Sequence, residues 1–152
     1  MAALDCFIKS LPPADKLNIK TDVIDVVKKI GIKVIYEPSL VSEKKGRIML
    51  TTQRFNADFR DPLVRECGSV IIASVVSNPD SDQTKSETSV HWRIVSSSPP
   101  PFNPKVSLNR LRLSDYNISY INEGTTITLY YYNDKWCIAT TNGYDVSDLI
   151  WA

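Results

Sequence analysis

The sequence contains little histidine and cysteine. His91 is the single histidine, so no Ser/His or Cys/His pairing with a third orienting group can be argued from it. We interpret it as a packed or surface residue. Cys6, Cys67 and Cys137 are far apart and form no Cys-x-x-Cys spacing, which argues against a zinc site. We therefore expect no metal and no cofactor. An odd number of cysteines without a signal peptide predicts reduced, buried thiols in an intracellular compartment.

An excess of charge of one sign is also absent. The 152 residues hold 18 Lys and Arg and 17 Asp and Glu, for a formal net charge of +1. Nucleic-acid binders usually show a basic excess or stripe, so this balance gives no electrostatic reason to expect one, although a local patch can hide in a neutral total. No stretch approaches the roughly 20 apolar residues that span a bilayer. We expect a protein that is not secreted and does not contact a membrane.

The first two thirds of the sequence predict short helices and several strands. One helix is expected over residues 3–11, where two prolines stop it, and another from an N-cap at Thr21 to Gly31. The apolar run over 70–76 lacks alternation, which is typical of a strand buried on both faces in the middle of a sheet. Further strands are expected at 32–36, 47–52 and 91–96.

The last third predicts a β-hairpin. Along residues 125–132, Ile127, Leu129 and Tyr131 alternate with polar residues and tyrosines on the other face. Asn133-Asp134 supplies the turn, and the partner strand follows it. A strand before the hairpin and a short closing helix are expected at 118–121 and 145–151. The predicted fold class is α+β, with a mainly antiparallel sheet and a few short helices, in one domain of residues 1–152.

Three passages, taken in order, resemble one family. They are the string from Asp61 to Ile72, the strand Trp92–Val95 with the following Pro101-Phe102-Asn103, and the segment Glu123-Gly124-Thr125 with its hairpin. Residues 59–151 thereby resemble the RNA-ligase-like domain of the nucleotidyltransferase superfamily, in the degenerate form that large DNA viruses encode. Residues 1–58 match no family. The resemblance implies a truncated nucleotidyltransferase half-domain, because the chain ends at Ala152 before the family's later motifs.

The resemblance also implies which residues would carry the chemistry. The family's lysine attacks the α-phosphate of a nucleotide and forms a phosphoramidate. It stands two residues before the acidic residue, here Glu123, so its position is occupied by Ile121, which has no nucleophile. Gly124 is retained. Gly68-Ser69 stand where the family has Arg-Gly, so an expected phosphate contact is lost. We therefore predict a degenerate motif with no catalytic residue.

The aromatic residues of the hairpin suggest a contact surface. Tyr130 and Tyr132 share one face of their strand, and Trp136 is close by on the next strand. Such a face could stack RNA bases or pack against another protein. Since no cluster of Lys or Arg stands beside these residues, we favour a protein partner.

The function predicted from the sequence is that of a non-catalytic viral structural or accessory protein. It would act through contacts with other proteins of an assembly, plausibly as a virion component, and would be found in the host cytoplasm or the virion. The alternative is an RNA- or nucleotide-binding module, or a subunit that completes a ligase or capping nucleotidyltransferase in trans.

Overall fold

The computed structural model describes residues 2–53, 55–77, 89–99, 112–115, 117 and 124–147. Four strands form an antiparallel sheet in the order β1-β2-β3-β4: Ile32–Tyr36, Arg47–Thr52, Ser69–Ser77 and Ser89–Ser97. A separate antiparallel pair consists of β5 (Thr128–Tyr132) and β6 (Lys135–Ala139). The α+β fold class is thereby confirmed, as are the four strands predicted in the first part of the chain.

Strands from residues 1–58 belong to the same sheet as the strands that follow them. Strand β2 pairs with β3, with Met49 opposite Ile71 and Leu50 opposite Val70. Strand β3 lies between β2 and β4, so its unalternating apolar run indeed occupies the middle of the sheet. Residues 1–58 supply two of the four strands, β1 and β2.

Short helices cover one face of this sheet. They are α1 (Ala2–Ser10), α2 (Asp25–Val27), α3 (Ser39–Ser42) and α4 (Pro62–Glu66), with a π-helical turn at Ile19–Ile24 and a 3₁₀ turn at Lys28–Ile30. A further 3₁₀ turn comprises Leu113–Asp115. The indole nitrogen of Trp92 on β4 donates a hydrogen bond of 2.8 Å to the carbonyl oxygen of Pro12. This bond ties the segment after α1 to the sheet.

The predicted N-cap of the second helical stretch was wrong. Asn18, not Thr21, caps it: the Asn18 side chain accepts hydrogen bonds from the backbone nitrogens of Lys20 and Thr21. Asp22 reaches back and accepts from the Asn18 nitrogen at 2.8 Å, which makes a reciprocal box. Asparagine is a better N-cap than threonine, so the helical stretch begins three residues earlier. Gly31 ends it with φ +84°, as predicted.

The two faces of the four-stranded sheet carry different cores. A large cluster on the helical face includes Ile48, Leu50, Val70, Ile72 and Trp92. A smaller cluster on the opposite face joins the sheet to the hairpin; its buried members are Met49, Ile71, Tyr130, Cys137 and Ala139. Because both faces are covered, every residue of β2 is buried.

The hairpin β5–β6 was predicted at the correct place. Tyr132 pairs with Lys135 across the turn, and Asn133 and Asp134 take the positive φ angles of 54° and 60° that a two-residue hairpin turn requires. The strand predicted at 118–121 and most of the closing helix predicted at 145–151 lie outside the described residues.

Candidate functional site

A cleft of about 350 Å³ brings the Gly68-Ser69 motif next to the start of the hairpin segment. It lies at the ends of β2, β3 and β4, where residues from five segments meet: Thr51, Thr52, Gly68, Ser69, Ser98, Pro99, Thr126 and Thr141. Thr126 stands two residues after Gly124, which is exposed. Of the degenerate motif, the structure therefore places Gly68 and Ser69 in the cleft, whereas Gly124 is not among the described lining residues. Ile121 and Glu123, the other two members, lie outside the described residues.

The polar groups of this cleft are largely engaged with one another. The Ser69 nitrogen donates to the Ser98 hydroxyl at 2.8 Å, and the Thr51 and Ser69 hydroxyls lie 3.4 Å apart. The Thr52 hydroxyl donates to the carbonyl oxygen of Cys67. None of the described lining residues is charged. A phosphate in the cleft would thus meet hydroxyl groups but no lysine or arginine from this set.

The position of Gly68 leaves no space for the arginine that the resemblance implies there. A Cβ at Gly68 would lie 2.8 Å from both the carbonyl carbon of Pro99 and the carbonyl oxygen of Ser98, and it would overlap the Pro99 oxygen. These are backbone atoms that cannot rotate away. A side chain at this position would require the end of β4 to move.

The three aromatic residues predicted to form one contact surface lie on two faces of the hairpin. Tyr130 is only 4% exposed and Tyr132 is half-buried, both against the four-stranded sheet. Trp136 is directly opposite Tyr131, and residues paired across two strands share a face. Trp136 therefore points away from Tyr130 and Tyr132, so the predicted platform of these three side chains was wrong.

The exposed face of the hairpin carries a different set of apolar side chains. We call it the outer stripe: Ile127, Leu129, Tyr131 and Trp136. Each is between 54% and 64% exposed. The rings of Tyr131 and Trp136 meet edge to face, with centroids 5.5 Å apart and planes at 67°. Neighbouring Lys135 is within 3.2 Å of the Asp145 carboxylate, so its charge is paired.

A buried arginine joins the covered face of the hairpin to the sheet. Arg47 begins β2 and is 4% exposed. Its guanidinium donates to the Tyr130 hydroxyl at 2.7 Å, and also to the Glu37 carboxylate. Its Cζ atom lies 4.4 Å from the ring centroid of Tyr132 and 4.8 Å from that of Tyr144. Burial raises the pKa of each of these three tyrosines, so they stay neutral at physiological pH.

Arg47, Glu37 and Tyr144 were not among the site residues predicted from the sequence. One signal was available: Arg47 is two residues before Met49 and thus shares its face of β2, where an unpaired charge would be costly. Its partners could not be found in the same way, because Tyr130 is 83 residues away along the chain.

The thiols follow the sequence prediction at two of three positions. Cys67 and Cys137 are buried, and burial raises the pKa of Cys67 to about 12. Cys6 is exposed on α1, which corrects the expectation that all three are buried. No helix among the described residues could cross a membrane, and no cluster of His, Cys, Asp or Glu in that part of the chain could hold a metal ion.

Parts of the chain are similar to viral proteins named as RNA ligases. A "Putative RNA-ligase" of African swine fever virus (isolate Pig/Kenya/KEN-50/1950) is 44% identical over 41 residues, which are 24% of this chain and 9% of that protein. One from isolate Tick/Malawi/Lil 20-1/1983 is 35% identical over 68 residues, which are 40% of this chain and 15% of that protein. No family model and no solved structure matches the chain. The chain thus spans less than a sixth of these relatives, and a partial relation to viral RNA-ligase-like proteins is what the comparisons support.

Proposed function

We propose that this chain is a non-catalytic viral structural or accessory protein, built on an RNA-ligase-like scaffold, that binds another protein through the outer stripe. The observation that carries the proposal is the exposure of four neighbouring apolar side chains on one face of the hairpin. Tyrosine and tryptophan are enriched at protein interfaces, where their large surfaces supply much of the binding energy. The viral assignment, and a place in the host cytoplasm or the virion, rest on the similarity to African swine fever virus proteins.

The sequence and the cleft both argue against nucleotide transfer by this chain. Ile121 offers no amine where the family's lysine would stand. At Gly68 the backbone of Ser98 and Pro99 excludes a side chain. The described lining of the cleft supplies no cation to hold a nucleotide phosphate. These are three separate departures from what the reaction needs.

The charge around the outer stripe favours a protein partner over RNA. Lys135 is engaged by Asp145, and the chain as a whole carries a net charge of only +1. RNA binding draws most of its affinity from unpaired Lys and Arg near the phosphates. Lys135 is the only Lys or Arg of the hairpin itself (residues 128–139), so its apolar outer face is better suited to the apolar core of a protein interface.

The proposal is tested by comparing the native partners of two variants. The protein would be tagged and purified from its native host cells under mild conditions. Leu129→Ser with Trp136→Ser removes the outer stripe; Val26→Ser with Val41→Ser is the matched control, because both valines are also exposed but lie on the helical side. We expect the stripe variant to lose a partner protein by roughly 30-fold, since a buried tryptophan anchor contributes about 2 kcal/mol or more. Unchanged recovery of every partner in the stripe variant would contradict the proposal.

A second candidate is an RNA- or nucleotide-binding module, or a subunit that completes a ligase or capping enzyme in trans. The exposed rings of Tyr131 and Trp136 favour it, because exposed aromatic rings can stack on unpaired bases. It predicts quenching of Trp136 fluorescence by single-stranded RNA at low salt, and loss of that quenching as salt rises. Absence of any change at low salt would remove this candidate.

A further inference from the structure

The environment of Arg47 has the chemistry of a receptor for a planar cation. The Tyr132 and Tyr144 rings approach its guanidinium from 4.4 and 4.8 Å, and the Tyr130 centroid is 5.9 Å away. The Glu37 carboxylate supplies the counter-charge, and its second oxygen accepts from the Arg47 backbone nitrogen at 2.7 Å. Aromatic faces and a carboxylate around one cation are the features by which proteins bind free guanidinium or methylated ammonium groups.

We propose that Tyr130, Tyr132, Tyr144 and Glu37 form a guanidinium-binding site whose resident ligand is Arg47, and that the occupied site is the latch that holds the hairpin on the sheet. The site is assembled from residues of the four-stranded sheet and of the hairpin with its following segment. Glu37 and Arg47 belong to the ends of β1 and β2, whereas the tyrosines belong to β5 and to the segment after β6. The inference is independent of the proposed function and can fail separately from it.

The packing under the hairpin explains why a latch would matter. Among the described residues, the apolar cluster between hairpin and sheet has five buried members, whereas the cluster on the helical face has seventeen. The Tyr130 hydroxyl accepts from Arg47 and donates to the carbonyl oxygen of Tyr144, so the cation organises the segment after β6 as well. Among the described buried polar side chains, only Arg47 Nε lacks a hydrogen-bond partner. The two terminal nitrogens of the guanidinium therefore make its polar contacts, and a small free guanidinium would retain them.

Cys137 provides a reporter for this latch. Its sulfur lies 3.4 Å from Arg47 Nη1 and is fully buried under the hairpin, whereas Cys67 is fully buried in the other core. In a Cys6→Ser background, maleimide labelling followed by peptide mass mapping would report the two cores separately. If Arg47 is the latch, Arg47→Ala should label Cys137 on the order of 100-fold faster than the parent, because breaking a buried pair is strongly destabilising. Cys67 should stay protected.

Chemical rescue tests the nature of the site. Millimolar methylguanidinium chloride should restore the protection of Cys137 in Arg47→Ala, relative to the same concentration of sodium chloride. It should have no effect on Arg47→Met, whose side chain fills the space without charge. Failure of methylguanidinium to restore protection in Arg47→Ala would overturn the proposal. An equal increase in the labelling rates of Cys67 and Cys137 in that variant, relative to the parent, would also overturn it.

Arg47→Lys keeps the experiment decisive if the alanine variant does not fold. Lysine retains the charge but not the planar fork. We expect Cys137 in this variant to label faster than in the parent while Cys67 does not change. Labelling of Cys137 at the parent rate would show that a point charge suffices, and would overturn the guanidinium assignment.

Discussion

The backbone of Pro99 occupies the space into which a side chain at Gly68 would project. A Cβ at Gly68 would lie 2.8 Å from the Pro99 carbonyl carbon and would overlap its oxygen. The end of β4 thus closes the cleft at Gly68, the position at which the resemblance implies an arginine. In this chain Gly68 is required for packing, which accounts for its presence without any role in binding phosphate.

Gly68→Ala should destabilise the protein by about 1–3 kcal/mol, because the added methyl group meets backbone atoms that have no rotamer to change. Urea denaturation at neutral pH would measure the change in free energy of unfolding. Gly124→Ala is the matched control, since nothing lies within 4 Å of a Cβ at that position. Equal stability of the two variants would contradict the close approach of Pro99.

Tyr130→Phe should cost roughly 1–3 kcal/mol of stability. It removes the hydroxyl that accepts from Arg47 at 2.7 Å and leaves a buried donor of the guanidinium without that partner. Tyr131→Phe, on the exposed face, should change the free energy of unfolding by less than about 0.5 kcal/mol. A larger loss from Tyr131→Phe than from Tyr130→Phe would reverse the assignment of the two faces.

The strands and the hairpin turn could be predicted from local sequence, whereas the choice of the buried hairpin face could not. Alternation along β5 assigns Leu129 and Tyr131 to one face and Tyr130 and Tyr132 to the other, and this assignment was correct. Which face is covered depends on Arg47, which is distant in sequence and binds Tyr130. The more apolar face is exposed because the other face contacts the buried guanidinium of Arg47 through the Tyr130 hydroxyl and the tyrosine rings.

The candidate site could be predicted only in part for a related reason. The apolar run over 70–76 correctly identified a central strand, because burial on both faces leaves a direct pattern in the sequence. Its residues 70–73 are buried as predicted, whereas Val76 is exposed. The meeting of Gly68 with Pro99 and Thr126 in one cleft leaves no such pattern. Contacts between segments of this kind arise from the topology of the sheet.

The Asp145 carboxylate should titrate at unusually low pH. The Ser147 hydroxyl, 2.6 Å away, is the main cause that lowers the pKa of Asp145 to about 2 from an ordinary value of 3.8, and Lys135 adds to it. Its contribution to stability is therefore fully present above about pH 4 and is lost as the pH falls through about 2. Carboxyl NMR titration should show the Asp145 pKa rising toward 3.8 in Ser147→Ala. An unchanged midpoint in that variant would exclude the Ser147 hydroxyl as the cause.

Only one of the three thiols should react rapidly in the native protein. Cys6 is exposed, whereas Cys67 and Cys137 are buried and the pKa of Cys67 is raised to about 12. Because the thiolate is the reactive form, Cys67 should be unreactive at neutral pH. Titration with a chromogenic disulfide should give one fast equivalent, and Cys6→Ser should abolish it. A fast equivalent that survives this substitution would show that a buried thiol is accessible.

The most direct test of the central claim is the intact mass of the protein after incubation with ATP or GTP and magnesium. Nucleotide transfer by the RNA ligases that the sequence resembles proceeds through a covalent bond to lysine, and the resemblance places Ile121 at that position. We predict a single unmodified mass with either nucleotide, both in the wild type and in the variant that lacks the outer stripe. A covalent nucleotide adduct on any lysine of the wild-type chain would contradict the account.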